Sequence, residues 1–204
     1  DFLRAEAPPA YARAMLDDPI GITEELWRRF AELGWIGLTI PEAYGGSGLG
    51  YLDLAIVMEA AGEVVLPGPL MSTAGLATPA IVAHATAEQK QRYLPEIASG
   101  RLRATVAYAE APGRWAENAV TARAEARGDR FAIRGTKLFV PDARAADVVC
   151  VVAKLGERAG LFAVPRGPFD KLVRQCERQT VEELAKTFAL EFPDAETLSP
   201  ALMA

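Results

Sequence analysis

The spacing of apolar residues changes once along this chain, near residue 101, and that change limits the folds it can adopt. Before this point, apolar residues recur every three or four positions, as on one face of a helix. After it they alternate or form short β-branched runs, as in strands. The order predicts an α+β fold, with helices first and mostly antiparallel strands second. We expect a ligand cleft at the junction, over Leu102 to Pro141.

Several segments of the first half have helical spacing. They are Thr23 to Leu33, Tyr51 to Val65, Met71 to Ala83, and Thr86 to about Gly100. Thr23 and Thr86 stand at N-cap positions, and Gly34 stands where a left-handed helix stop is expected. Met71 to Ala83 is apolar nearly all round, so we predict a largely buried helix there.

The second half contains strand patterns separated by turn residues. Those patterns cover Val120 to Arg127, Arg130 to Arg134, Val148 to Ala153, Leu161 to Val164 and Thr187 to Phe192. Gly128-Asp129 predicts a tight hairpin between the first two. Val181 to Leu184 has a weaker pattern, which favours a short helix.

Composition and charge exclude several classes of function. The net charge of -5 and the interleaving of basic with acidic residues exclude a broad nucleic-acid surface. No stretch approaches the roughly 20 apolar residues of a membrane span, and the sequence does not open with a secretory signal. Cys150 and Cys176 lie in no metal-binding or paired pattern, which favours free thiols in a cytoplasmic protein and predicts no metal site.

Two short motifs have ordinary structural explanations. Gly45 to Gly48 lacks the Lys-Ser/Thr ending of a P-loop and the spacing of a dinucleotide turn, so turn formation explains these glycines best. The single histidine, His84, stands near a predicted helix end, where it can satisfy free carbonyls. With one histidine and no matching Ser or Cys context, a hydrolytic triad is excluded.

Three strings, in order and at matching spacing, resemble the acyl-CoA dehydrogenase family. The first runs from Leu26-Trp27 through Gly34-Trp35-Ile36-Gly37-Leu38 to Pro41-Glu42-Ala43-Tyr44-Gly45-Gly46-Ser47-Gly48-Leu49. The second is Glu88 to Gly100, and the third is Gly128 to Lys137. The resemblance covers about residues 20 to 195.

The resemblance implies a helical domain over residues 1–101, an antiparallel β-barrel-like domain over 102–204, and a C-terminal four-helix domain missing from this chain. It also implies FAD, an acyl-CoA thioester and α,β-dehydrogenation. The missing domain would carry the catalytic glutamate and much of a homo- or hetero-oligomer interface, as a dimer or tetramer. No catalytic residue is therefore assigned here, and we expect the chain alone to be inactive. Met71 to Ala83, with Leu70, is a candidate wall of the acyl pocket.

The positions that match the family's cofactor contacts depart from its pattern. They are Tyr108, Ala109, Glu110, Trp115, Phe139, Val140 and Pro141. The backbone of Tyr108 to Glu110 would serve the flavin, and Phe139 either stacks on it or packs in the core. Pro141 brings neither a hydroxyl nor an N–H near flavin N5. Arg114 is either a phosphate contact or a solvated loop residue.

Three functions remain open from the sequence. The first is an FAD-dependent acyl-CoA dehydrogenase completed by the missing domain. The second is a non-catalytic, flavin-poor partner subunit, similar to the degenerate chain of heteromeric members that act on steroid side-chain thioesters. The third is a scaffold that keeps only acyl-CoA affinity.

Overall fold

A computed structural model of the chain consists of helices packed against one mixed β-sheet. It describes residues 1–111, 113–128 and 130–165, and the backbone of 196–197. Helices come first and strands follow, which confirms the predicted α+β class. The predicted elements at Thr187 to Phe192 and Val181 to Leu184 lie outside the described residues, as does Cys176.

The helices of the first half include every one that the sequence predicts. They are α1 (Phe2–Glu6), α2 (Pro9–Ala14), α3 (Glu24–Glu32), α4 (Tyr51–Glu63), a π-helix (Met71–Ala77), α5 (Thr78–His84) and α6 (Ala87–Ala98). The π-helix runs directly into α5, so together they form the predicted buried segment. The sequence did not indicate α1 and α2, because helices this short show no full periodic pattern.

The predicted helix ends have the expected geometry. The Thr23 hydroxyl accepts a hydrogen bond from the amide of Leu26 at 3.3 Å. Thr86 and Gln89 form a reciprocal capping box at the start of α6. Gly34 has a φ of +73°, in the left-handed region that glycine tolerates best. Local sequence therefore determines where these helices begin and end.

The sheet is mixed and, within the described residues, it does not close into a barrel. Its strands are β1 (Ala104–Ala107), β2 (Arg123–Arg127), β3 (Arg130–Arg134), β4 (Val148–Leu155), β5 (Arg158–Pro165) and β6 (Glu196–Thr197). They lie in the order β3-β2-β4-β5-β6, and β1 pairs with β4 in parallel. The pairings β2–β3, β4–β5 and β5–β6 are antiparallel, as expected, whereas the barrel-like closure expected for residues 102–204 is not seen within the described residues. The β2–β3 hairpin joins β4 where Arg123 pairs in parallel with Lys154, and β3 also approaches β6.

The central strand β4 is buried on both faces. Val148 and Cys150 belong to the core shared with the helices, whereas Val149 and Val151 belong to a second core on the opposite face. Double burial explains why β4 reads as a continuous apolar run rather than an alternating one. It also places β1, β4 and β5 directly against the helical layer.

Candidate functional site

A cavity of about 870 Å³ lies where the helices meet the sheet. Its helical wall is formed by Leu76, Ala80, Ala83 and His84. Its floor is formed by strand residues that include Val106, Val152 and the start of β5 at 158–161. Most of the lining is apolar or aromatic. The cavity therefore lies at the junction where the sequence predicts a cleft, and the predicted helical segment forms one of its walls.

The cavity brings together five of the seven predicted cofactor-binding positions. They are Tyr108, Ala109, Trp115, Phe139 and Pro141. The other two, Glu110 and Val140, are not part of the lining. Val140 packs against the second core. The carboxylate of Glu110 is buried in polar contacts described below, so only its backbone is a candidate for contact with a ligand.

Two aromatic rings form one side of the cavity. Tyr108 and Trp115 stack with their centroids 5.2 Å apart and their planes 8° from parallel. The Tyr108 hydroxyl also donates a hydrogen bond to the Trp115 carbonyl at 3.0 Å. The Trp115 side chain remains 76% exposed, so its outer face is available to a ligand.

Phe139 also lines the cavity and is 92% exposed. It does not pack in a core of the described chain, which removes one of its two sequence interpretations. Its φ of +52° lies in the left-handed region, where a bulky side chain is strained. Strain of this kind is concentrated at functional sites and persists only when surrounding contacts enforce it.

Hydrogen bonds fasten the loop on both sides of Phe139. Before it, the amide of Leu138 donates to the Ala109 carbonyl at 2.8 Å. After it, the Thr105 hydroxyl donates to the Pro141 carbonyl at 2.6 Å. The loop therefore runs beside β1 and its extension, and Phe139 projects from it towards the cavity.

Glu110 is a buried carboxylate with a full set of donors. It accepts from Lys137 Nζ at 2.5 Å, from the Thr121 amide at 2.7 Å and from the Ala122 amide at 3.0 Å. The Thr121 hydroxyl is a further donor. Burial on its own raises the pKa of Glu110, but the hydrogen bonds from Lys137, Thr121 and Ala122 together outweigh it and lower that pKa. Burial lowers the pKa of Lys137, and Glu110 opposes that shift.

The cavity walls offer binding surface rather than an acid or a base. Of the described residues that line it, none is Asp or Glu. His84, at the end of α5, and Arg158, at the start of β5, bring the basic groups. Such walls can hold an apolar chain and a planar ring. Proton abstraction by a carboxylate would need a group from outside this lining.

Sequence reasoning missed two parts of the site. It assigned residues 158–161 no role in the site, because no sequence motif marks the start of β5. It also missed the pairing of Lys137 with Glu110. Lys137, directly before the apolar segment 138–140, was the available signal, since a charged side chain is rarely buried unless it is paired.

The described part of the chain holds neither a metal-binding cluster nor a membrane-spanning helix. No group of three or more His, Cys, Asp or Glu residues there is arranged to hold a metal ion. None of its helices is long and apolar enough to cross a membrane. Cys150 is fully buried, and burial raises the pKa of its thiol to about 12, which disfavours the reactive thiolate form.

Comparison with known proteins places these features in a family. Residues 1–101 match the family described as acyl-CoA dehydrogenase, N-terminal domain. FadE12, an acyl-CoA dehydrogenase of Mycobacterium tuberculosis, is 37% identical over 153 residues, which are 70% of this chain and 39% of the relative. The chain belongs to the acyl-CoA dehydrogenase family. Mitochondrial isovaleryl-CoA dehydrogenase of Pongo abelii is 34% identical over 69% of this chain and 33% of its own length.

Solved structures of similar proteins share this fold. A variant of the Tcur3481-Tcur3483 steroid ACAD is 35% identical, with a TM-score of 0.72 over 81% of this chain and 45% of that one. The ChsE4-ChsE5 complex of Mycobacterium tuberculosis is 26% identical, with a TM-score of 0.71 over 81% and 44%. The chain thus spans less than half the length of each of these relatives and solved structures.

Proposed function

We propose that this chain provides the cofactor- and thioester-facing part of an FAD-dependent acyl-CoA dehydrogenase. The reaction would be α,β-desaturation of an acyl-CoA thioester. The observation that carries the proposal is the apolar cavity, which gathers five predicted cofactor positions in a member of this family. Residues 1–101 would form the helical domain, and residues 102–204 the β-domain.

The residues of the cavity fit a planar cofactor in part. Phe139 offers an exposed ring, and Tyr108 and Ala109 bring backbone to the same wall. Leu76 and Ala80 form an apolar wall that suits an acyl chain and excludes water. Bound FAD would supply the acceptor for the β-hydrogen.

The catalytic base is proposed to come from outside these 204 residues. The described lining holds no carboxylate, and the buried Glu110 is engaged by Lys137 and the segment before β2. A further part of the protein or a partner chain would supply the base and the oligomer interface. Alone, the chain is expected to bind ligand without dehydrogenating it.

A second candidate function is a flavin-poor partner subunit in a heteromeric acyl-CoA dehydrogenase. Pro141 has no N–H, and its carbonyl already accepts a hydrogen bond from Thr105. Trp115 stacks on Tyr108 and lines the cavity, so its large ring occupies space beside the other predicted cofactor positions. ChsE4-ChsE5, one of the structural relatives, is a complex of two named components. These features support a chain that retains the fold and depends on a competent partner.

A visible spectrum of the purified full-length protein separates the two candidates. For the dehydrogenase, we expect flavin absorbance that corresponds to about one bound flavin per chain. A colourless homomer would contradict that function. Flavin that is present only after co-purification with a second polypeptide would favour the partner subunit.

The Pro141→Thr substitution should increase flavin retention. It restores a hydroxyl and an amide donor at the cavity wall, where Pro141 now offers neither. Retention is measured as the ratio of flavin to protein absorbance after extended dialysis. Pro165→Thr, at the exposed end of β5 and outside the cavity lining, is the matched control. Equal retention by both variants would contradict the assignment of Pro141 to the flavin edge.

A further inference from the structure

Lys137 and Glu110 form a buried ion pair beside the cavity, although neither residue lines it. Lys137 Nζ lies 2.5 Å from Glu110 Oε1, and the two side chains are only 7% and 5% exposed. Removal of one partner from such a pair leaves an uncompensated buried charge, which is strongly unfavourable. The pair is therefore held in one geometry. The chain segments that carry Lys137 and Glu110 are held in place with it.

Glu110 connects three segments that are separate in sequence. It lies in the segment that follows β1, accepts from the amides of Thr121 and Ala122 before β2, and pairs with Lys137 in the loop after β3. Lys137 also donates to the Tyr108 carbonyl at 3.0 Å. The loop that carries Phe139 thus begins at a point held by two bonds from a single ammonium group.

Phe139 lies between this fixed point and a second one. The amide of Leu138 donates to the Ala109 carbonyl, and the Pro141 carbonyl accepts from Thr105. Phe139 itself has a left-handed backbone and an almost fully exposed side chain. Its own side chain gains little from burial, so contacts elsewhere must compensate for the strain.

We propose that Glu110 and Lys137 are positioning residues that hold Phe139 in its left-handed conformation, with its ring presented to the ligand in the cavity. This inference rests on the proposed function for the identity of the ligand, and on the hydrogen-bond geometry alone for the mechanism. The pair does not touch the ligand; it acts through the loop. A ring held in place before binding costs less ordering when the ligand arrives.

The Lys137→Met substitution in the full chain tests the proposal through two measurements. Exchange of the Leu138 amide, followed by NMR, should accelerate by roughly tenfold or more, because the loop can open locally. Affinity for FAD, measured by spectral titration, should fall by roughly tenfold because the ring is no longer pre-positioned. If this variant does not fold, Glu110→Gln replaces it, since it keeps the size of the side chain, removes its charge and turns one of the two acceptor oxygens into an NH2 donor.

Arg103→Met is the matched control. Arg103 is a second buried cation, paired with Glu24 at the other end of β1 and outside the cavity lining. The Arg103→Met substitution should change the exchange rate of the Leu138 amide and the affinity for FAD by no more than about twofold. The proposal is overturned if Arg103→Met accelerates that exchange as much as Lys137→Met, or if Lys137→Met leaves it unchanged.

The two measurements separate this inference from the proposed function. If the wild-type protein binds no FAD but Lys137→Met still accelerates Leu138 exchange selectively, the dehydrogenase function fails and the role of the pair in holding the loop is supported. If the wild-type protein binds FAD and Lys137→Met accelerates exchange without weakening binding, the ring-positioning role is overturned while the proposed function stands.

Discussion

At the scale of single residues, Glu110 shows how a buried charge is made tolerable. Its carboxylate oxygens accept from the Lys137 ammonium and from the backbone of Thr121 and Ala122. These donors favour the ionised form enough to lower its pKa despite burial. A carboxyl group with a lower pKa in the folded state stabilises that state when it is ionised. Its contribution is complete above the ordinary carboxyl pKa of 4.5 and is lost as the pH falls through the lower folded value.

The Glu110→Gln variant should therefore differ from the wild type in a pH-dependent way. At neutral pH its free energy of unfolding should be lower, because Lys137 loses its counter-ion. The difference should shrink as the pH falls below the ordinary carboxyl value, since the wild type then protonates Glu110 as well. Urea denaturation at several pH values measures this difference. Glu96→Gln, in the exposed pair with Arg101, is the control and should change little. A difference that stays constant with pH would rule out an ionised Glu110.

At the scale of elements, the start of α6 depends on one reciprocal cap. The Thr86 hydroxyl accepts from the Gln89 amide at 3.2 Å, and the Gln89 side chain accepts from the Thr86 amide at 3.0 Å. Thr86→Ala should lower the free energy of unfolding by about 1 kcal/mol. Thr86→Ser keeps the oxygen and should recover most of that loss in urea denaturation. If Thr86→Ser lowered the free energy of unfolding as much as Thr86→Ala, the loss would come from packing of the Thr86 methyl group rather than from capping.

Much of the helical half could be predicted from the sequence because its signals are local. Thr23, Gly34 and Thr86 mark helix ends through bonds within a few residues. The sheet was less predictable because its pairing is not local. The strand predicted from Val120 starts only at Arg123, since the preceding amides bond to Glu110 instead of a neighbouring strand.

The same distinction applies to the candidate site. A motif in the sequence can indicate that Tyr108 and Phe139 belong near one another, and the cavity brings them together. It cannot indicate the left-handed backbone of Phe139 or the buried pair beside it. Those features arise from contacts between segments about 30 residues apart, which no short-range pattern records.

At the scale of the whole molecule, the helices and the sheet share one apolar core. Ala104, Val148 and Leu161 from the sheet lie in the same cluster as the buried residues of α3 and α6. Polar contacts cross the same boundary, including the ion pair of Arg103 with Glu24. A shared core of this kind favours unfolding of both layers together rather than one after the other.

Thr73→Val tests this cooperativity at a single buried contact. The Thr73 hydroxyl donates to the Ala104 carbonyl at 3.1 Å and accepts from its amide at 3.2 Å, which joins the π-helix to β1. Valine keeps the shape but leaves both backbone groups unpaired, so the free energy of unfolding should fall by about 1–3 kcal/mol. Hydrogen exchange across a urea series should show α3 and β4 losing protection at the same, lower concentration. Loss of protection in β4 alone would mean that the two layers unfold independently and that Thr73 stabilises only the sheet.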